Sequence, residues 1–290
     1  MSSTAEIGLS DGDLERIETT AVELANLAAA EIVNALGGIF KVRYKSGAAK
    51  TAIWRDPVSE VDHRVETLIR ARLAEQFPDH DIIGEEIDER RATHDCLWAV
   101  DPIDGTTNFV NGFPMFAASI GVLERGRPVA GAVWCAASHA LRAGVYHARI
   151  GGKLRFEGAD VTPKVNPAVM RGLAGVPAVT SADGFWETRK TGSAAIECAM
   201  VAAGLLQVAR FASPNIWDVA GGLALVLAAG GVIRQYDGAQ WVPMTRFEPS
   251  ENNGNLRFWR RPVIIGNATA VEQMAADGAL PAPAAVATQR

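Results

Sequence analysis

Cysteine is scarce. The 290-residue chain has three, Cys96, Cys135 and Cys198, far apart and each in a largely apolar stretch. An odd number without CxxC spacing speaks against both a disulfide framework and a structural zinc site, and the three read as small buried hydrophobes in a reducing compartment. Long hydrophobic runs are missing too. The nearest approach to the roughly 18 apolar residues of a membrane span is Val219–Ile233, which begins beside Asp218 and contains four glycines. Met1–Ser10 lacks the basic and apolar regions of a secretory signal. Positive charge is in short supply, with 28 Lys and Arg against 33 Asp and Glu and a net charge of −5. That balance gives no long-range attraction for nucleic acid or anionic lipid. His63, His80, His94, His139 and His147 show no metal-ligand spacing. A cytoplasmic protein that binds neither nucleic acid nor membrane is expected. If its substrate is acidic, it needs a local positive centre such as a bound metal.

What is present is globular composition, 48% apolar and 21% charged. The length suits one large α/β domain or two packed halves, about 13–150 and 151–276, with an Ala- and Pro-rich tail, 278–290, that reads as disordered. Leu14, Ile17, Ala21, Leu24, Ala28, Ile32 and Leu36 recur at helical spacing over Asp13–Leu36, and Gly37-Gly38 ends the run. Phe40–Trp54 reads as two short extended segments, and a second helix spans about Ser59 to Gln76. Strands follow at Asp81–Gly84, Cys96–Val100, Phe116–Leu123, Pro128–Cys135 and Leu141–His147. With no helix between them they predict an antiparallel meander. Arg149–Pro167 reads as a loop-rich excursion. Beyond it the pattern gives a strand at Ala174–Thr180, a helix at Ser193–Ala203 and a strand at Leu205–Phe211. Helix Val219–Ala229, strand Val232–Gln235, a polar loop at Arg246–Asn255, strand Pro262–Ile265 and helix Ala268–Ala275 complete it. The sum is a layered α/β sandwich.

The acids lie at informative places. Glu85 follows one buried strand, Asp101 and Asp104 follow another, and Asp218 opens a buried helix. Such carboxylates are costly unless paired or metal-bound. In Asp101-Pro102-Ile103-Asp104-Gly105-Thr106-Thr107-Asn108, Pro102 fixes φ and Gly105 permits close backbone approach. Thr106 and Thr107 would start a helical turn whose free N–H groups can face phosphate. Taken alone, an isolated DxxDG is more often two aspartates capping a turn.

The longer context resembles the inositol monophosphatase family, within the lithium-sensitive, magnesium-dependent phosphatase superfamily. Four ordered blocks carry the likeness: Asp56-Pro57-Val58-Ser59-Glu60-Val61-Asp62; Ile83-Gly84-Glu85-Glu86; Trp98 through Phe109; and Trp217-Asp218-Val219-Ala220-Gly221-Gly222 followed by Ala229-Gly230-Gly231. The resemblance implies a layered α-β-α-β-α sandwich, a homodimer and hydrolysis of a small phosphorylated metabolite. It also implies two or three Mg²⁺ ions held by Glu85, Asp101, the Ile103 carbonyl, Asp104 and Asp218. Glu85 and Thr106 would orient and deprotonate the attacking water, and Asp62 would support Thr106 or share a more weakly held third ion. Asp62 is equally well read as a helix-start capping partner of Ser59. Gly105 and Thr106 N–H groups would hold the phosphate, and Ser193 and Ala194, within Gly192-Ser193-Ala194-Ala195, would contact the substrate ring. Hard oxygen ligands without a His or Cys cluster favour Mg²⁺.

Substrate recognition departs from the family pattern. Where the animal enzymes carry an acid seven residues before the second-motif aspartate, this chain has Phe211, preceded by Arg210. An aromatic side chain cannot accept hydrogen bonds from inositol hydroxyls. Arg210 would meet a second anionic group on the substrate or form a surface ion pair. The segment Phe247–Trp259 is unfamiliar and would shape either the pocket or an oligomer contact. Inositol monophosphate is the default substrate, with histidinol phosphate, fructose bisphosphate and a 3′-phosphonucleotide as alternatives. A regulatory binding protein retaining the fold is the reading from another class.

Overall fold

In a computed structural model, residues 7–36, 38, 42–44, 57–87, 93–163, 168–169, 171–177, 186–249 and 254–276 are described. Asp56, Gly37, most of the expected Phe40–Trp54 pair, residues 250–253 and the tail 278–290 lie outside them. Elements are numbered in chain order. The first part of the chain gives α1 (Asp11–Ala35), β1 (Val42–Tyr44), β2 (Pro57–Ser59), α2 (Glu60–Gln76), β3 (Asp81–Gly84), β4 (Cys96–Asp104), α3 (Thr106–Val110), β5 (Ala117–Glu124), β6 (Arg127–Cys135), β7 (Gly144–Arg149), β8 (Arg155–Phe156) and β9 (Ala159–Asp160). The second gives β10 (Gly172–Gly175), β11 (Trp186–Arg189), α4 (Ala194–Ala202), β12 (Val208–Phe211), α5 (Ile216–Ala228), β13 (Val232–Tyr236), β14 (Trp241–Pro243), β15 (Val263–Gly266) and α6 (Ala268–Ala276), with a 3₁₀ turn at Leu256–Phe258.

Helix α1 shows how sequence sets an element. Ser10 accepts from the Asp13 N–H at 3.2 Å while the Ser10 N–H donates to Asp13 at 3.0 Å, a reciprocal cap that starts the helix two residues before the apolar spacing suggests. Leu14, Ile17, Ala21, Leu24, Ala28 and Ile32 all face inward. They join residues of α2 and one face of the larger sheet in a single apolar cluster.

That sheet has the order β3-β4-β5-β6-β7-β8-β9. Its other face packs on α4 and α5, which also cover the second sheet, ordered β11-β10-β12-β15-β13-β14. Helix α6 closes the far face of that sheet. The result is the expected α-β-α-β-α sandwich.

The meander expectation holds from β4 to β7 and fails at β3, which pairs parallel to β4 with Gly84 opposite Val100. Parallel pairing delivers both C-terminal strand ends to one edge, so Glu85 emerges beside Asp101; an antiparallel neighbour would have put them at opposite ends. Other differences are smaller. The excursion after Arg149 contains the β8–β9 hairpin. Strands β11 and β14 were not expected. Helix α5 begins at Ile216, which makes Asp218 the third residue of its first turn rather than its opening.

Candidate active site

The acids in β4 are placed by a bulge. Asp101 lies opposite Ser119 and Asp104 opposite Ala117, with the register shifting between them. Residues three apart in a regular strand point to opposite faces, but the two partners are two apart and share one. The extra residue therefore turns both carboxylates to the same side, and Pro102, which has no N–H to donate, sits in the irregular stretch. Gly105 follows at φ 88°, and a Cβ there would lie 3.0 Å from the Met115 carbonyl oxygen, so only glycine fits.

Glu85 is positioned by α2. The buried Glu66 carboxylate accepts from the Glu86 N–H at 2.7 Å and the Ile87 N–H at 3.1 Å. It also pairs with Arg70 at 2.8 Å, and Arg70 donates to the Ile87 carbonyl at 3.0 Å. A side chain on Gly84 would collide with Glu66. Glu66 and Arg70 clamp the turn that carries Glu85, and sequence reasoning missed both. Their i, i+4 spacing on an exposed-looking helix reads as an ordinary surface pair.

The remaining acids meet helix N-termini of the middle layer. Asp104 accepts from Ser193 Oγ at 2.7 Å and the Ala195 N–H at 2.6 Å at the start of α4. The same hydroxyl caps that helix by accepting from the Ile196 N–H at 3.2 Å. Asp218 accepts from the Asn215 N–H at 2.7 Å and its side-chain amide at 3.1 Å. Asn108 bolts the motif loop to the segment before α4, donating to Met115 O at 2.6 Å and Thr191 O at 2.8 Å.

The carboxylates perturb one another strongly. Burial pushes Asp101 well above the usual carboxylate range, the charges of Glu85, Asp104 and Asp218 push further, and a hydrogen bond that the protonated Asp101 donates to the Glu85 carboxylate adds to it. Burial also raises Asp104 to about 7, against the bonds from Ser193 and Ala195. Asp218 is raised to about 8, first by burial and then by Asp104. Thr106 Oγ1 lies 3.1 Å from Asp62 Oδ1 and 2.8 Å from the Ile103 carbonyl oxygen, so one hydroxyl proton has two acceptors. Asp62 itself is fully buried at the start of α2.

Arg210 and Phe211 are adjacent in β12 and so face opposite sides of the sheet. Phe211 shares the middle-layer cluster with Trp217, while the alternate residue Val208, on the Arg210 side, belongs to the cluster under α6. One substrate pocket is not lined by both in this arrangement. Ala194 is the first residue of α4 and half-buried.

Whether these residues suit a metal ion turns on Asp101. Its Oδ1 is buried and has no hydrogen-bond partner among the described residues, although a carboxylate oxygen there is costly. The surrounding donors are all oxygens, and their mutual repulsion is what a hard cation relieves. As placed, no three His, Cys, Asp or Glu side chains among the described residues already converge at coordinating distance. The donor set fits Mg²⁺ by chemistry, the side chains having still to draw together.

Comparison with known proteins agrees with the fold and the motifs. The Thermotoga maritima IMPase superposes with a TM-score of 0.68 at 24% identity, covering 91% of this chain and 97% of that one. The inositol-1-monophosphatase ImpA of Mycolicibacterium smegmatis is 31% identical over 249 residues, 80% of this chain and 87% of the relative. A fructose-1,6-bisphosphatase/inositol-1-monophosphatase of Aquifex aeolicus is 32% identical over 190 residues, 61% and 72% of the two chains. The protein is thus a phosphoric monoester hydrolase. The inositol monophosphatase family profile matches residues 13–257, and the chain belongs to that family.

Proposed function

We propose that the chain is a Mg²⁺-dependent phosphatase that hydrolyses a small phosphorylated metabolite by attack of an activated water. The observation that carries this reading is the buried, unpartnered Asp101 Oδ1 amid three further carboxylates from β3, β4 and α5. Glu85, Asp101, the Ile103 carbonyl, Asp104 and Asp218 would hold two or three ions. When bound, Mg²⁺ supplies charge neutralisation for the phosphoryl group and lowers the pKa of water. Thr106 Oγ1 orients the attacking water by accepting a hydrogen bond from it, its own proton donated in a hydrogen bond to Asp62 Oδ1 at 3.1 Å. Glu85, kept in place by the Glu66 clamp, takes the proton from that water. The Gly105 and Thr106 N–H groups hold the phosphate, and Ser193 holds Asp104 while Ala194 borders the substrate.

Inositol monophosphate is the default substrate. Fructose bisphosphate, histidinol phosphate and a 3′-phosphonucleotide are the alternatives, and the double name of the Aquifex relative supports including the first. The family resemblance further implies a homodimer, with lithium competing for one magnesium position, and the sequence reading adds a cytoplasmic location. Phosphate release from a panel of these compounds, with and without Mg²⁺, tests the reading. Magnesium-dependent turnover of one of them is expected; a folded protein that releases phosphate from none would overturn it.

A further inference from the structure

Two arginines that the phosphatase chemistry does not use sit against the carboxylate site. Trp217, directly before Asp218, carries the Arg257 guanidinium 5.1 Å from its ring centroid and that of Arg260 at 5.4 Å. Arg257 also donates to the carbonyl of Gly84 at 2.6 Å, and Gly84 directly precedes Glu85. The segment around the 3₁₀ turn therefore brings two positive charges onto the chain neighbours of two site acids. An exposed guanidinium beside an acid cluster is normally its counter-ion. Arg260 forms no ion pair among the described residues; its Nη1 goes to the carbonyls of Arg257 at 3.1 Å and Trp259 at 2.7 Å in its own loop. Its Nε and Nη2 donate to no protein acceptor there, and the residue as a whole is exposed although its guanidinium is partly buried. Stacking on an aromatic face fixes a guanidinium's plane and leaves its N–H edge free for a bidentate anion. Trp217 itself is 5% exposed, yet its indole N–H has no acceptor among the described residues. Desolvation lowers the Arg260 pKa and Arg257 adds to that, while Asp218 and Glu85 act in the opposite sense; both site acids thus lie within electrostatic reach.

We propose that Arg257 and Arg260, stacked on Trp217, form a seat for a second anionic group, a phosphate or carboxylate, on the substrate whose phosphoester is cleaved at the adjacent carboxylates. This rests on the phosphatase reading and narrows its substrate class: phosphate monoesters with a second anion rather than neutral polyol monophosphates. It also replaces Arg210 as the residue that meets such a group, since Arg210 lies on the other face of β12.

The test compares kcat/KM of wild type and Arg260→Gln for three probes: a sugar bisphosphate, a phosphorylated hydroxy acid and inositol 1-phosphate. Wild type should favour one of the two probes that carry a second anionic group over inositol 1-phosphate, and which one identifies that group. Arg260→Gln should reduce that preference roughly 10- to 100-fold, mostly through KM, as loss of a charge-assisted contact does, with Arg260→Lys recovering part of it. No preference in wild type overturns the proposal, and so does an equal loss on all three probes, which would make Arg260 a tuner of the acids. Calorimetric titration of the same probes in the presence of Mg²⁺ reads the seat without turnover. Arg260-dependent binding of the bisphosphate with no hydrolysis of any of the three probes keeps the seat and overturns the phosphatase reading. Hydrolysis without preference does the reverse.

Discussion

Helix α5 crosses the larger sheet at a contact made of backbone. Gly121 of β5 and Gly131 of β6 are register partners, and Gly221 of α5 rests on them. A Cβ on Gly131 would stand 2.3 Å from the Gly221 carbonyl oxygen and one on Gly121 2.5 Å from the Gly221 nitrogen. Neither obstacle can rotate away, so Gly131→Ala must lift the helix by about 1 Å to restore ordinary van der Waals separation. Overpacking of this kind costs about 3 kcal/mol at the upper end of its usual range. With an unfolding entropy near 2.1 cal/mol/K per residue, or about 0.6 kcal/mol/K for this chain, Tm should fall by about 5 °C. Asp218 lies one turn before Gly221, so the same shift moves a proposed metal ligand by about 1 Å, enough for roughly a 100-fold loss of activity. Gly151→Ala is the control. It has φ 74° and open space around it, so it carries only the left-handed strain of about 1–2 kcal/mol and should leave turnover alone. Thermal melts and Mg²⁺-dependent phosphate release on both variants decide the matter. A Gly131→Ala protein that melts and turns over like wild type would refute the backbone contact and the leverage derived from it.

Asp101→Asn should abolish Mg²⁺-dependent turnover while stabilising the chelator-treated protein by about 2 kcal/mol, because it removes a buried acid that must take up a proton to fold without metal; a lower Tm in chelator would contradict the repulsion argument. Thr106→Val removes the hydroxyl between Asp62 and the Ile103 carbonyl and should lower kcat by about 10²–10⁴-fold with KM little changed; single-turnover kinetics check it, and wild-type kcat would remove Thr106 from the water-activating set. Far from the site, buried Glu18 bonds His147 at 2.7 Å and Arg149 at 2.6 Å, and these contacts outweigh desolvation, its largest single influence, to hold its pKa below the ordinary 4.5. Its stabilisation is then complete above about pH 4.5, the unfolded value, and is lost as pH falls through the lower folded one. Glu18→Gln should cost about 2 kcal/mol near neutrality, and the gap from wild type should close in melts below pH 4.5; a constant gap would falsify the linkage.

The parts of the fold carried by strong periodicity were legible in the residues: α1 from its apolar spacing, β5 to β7 from short apolar runs, the carboxylates from their position at strand ends. The parts that were not legible depend on partners distant in sequence. Nothing local in Asp81–Gly84 states that its neighbour runs parallel, because register and direction come from the sheet. The start of α5 was readable and was missed: Asn215 followed three residues later by an acid is a helix-start signal, and the structure uses it. Arg210 and Phe211 were grouped by proximity along the chain, whereas strand alternation separates them. Glu66 gave no warning because its burial is created by the turn after β3, which it then organises.

The placement of the acids explains how a fold tolerates four carboxylates in one site, three of them, Asp101, Asp104 and Asp218, with raised pKa. Two of them lie where backbone N–H groups already point: Asp104 at the N-terminus of α4 and Asp218 in the first turn of α5. A helix N-terminus favours a negative charge by about 0.3–1 kcal/mol, and more when partly buried. The middle-layer helices therefore offset part of the repulsion that the β3 and β4 acids impose, and Ser193 adds a hydroxyl to the same carboxylate. Asp101 receives none of this. It is 1% exposed, has no helix end before it and keeps an oxygen without a partner. The imbalance is concentrated on one carboxylate between the larger sheet and α5, which is where a bridging cation would gain most. Asp104 reaches α4 and Asp218 belongs to α5, so the arrangement exists only when the first sheet and the middle layer are assembled. The pairing of sheet and helices that buries the core is the same pairing that gathers the acids proposed to hold the metal.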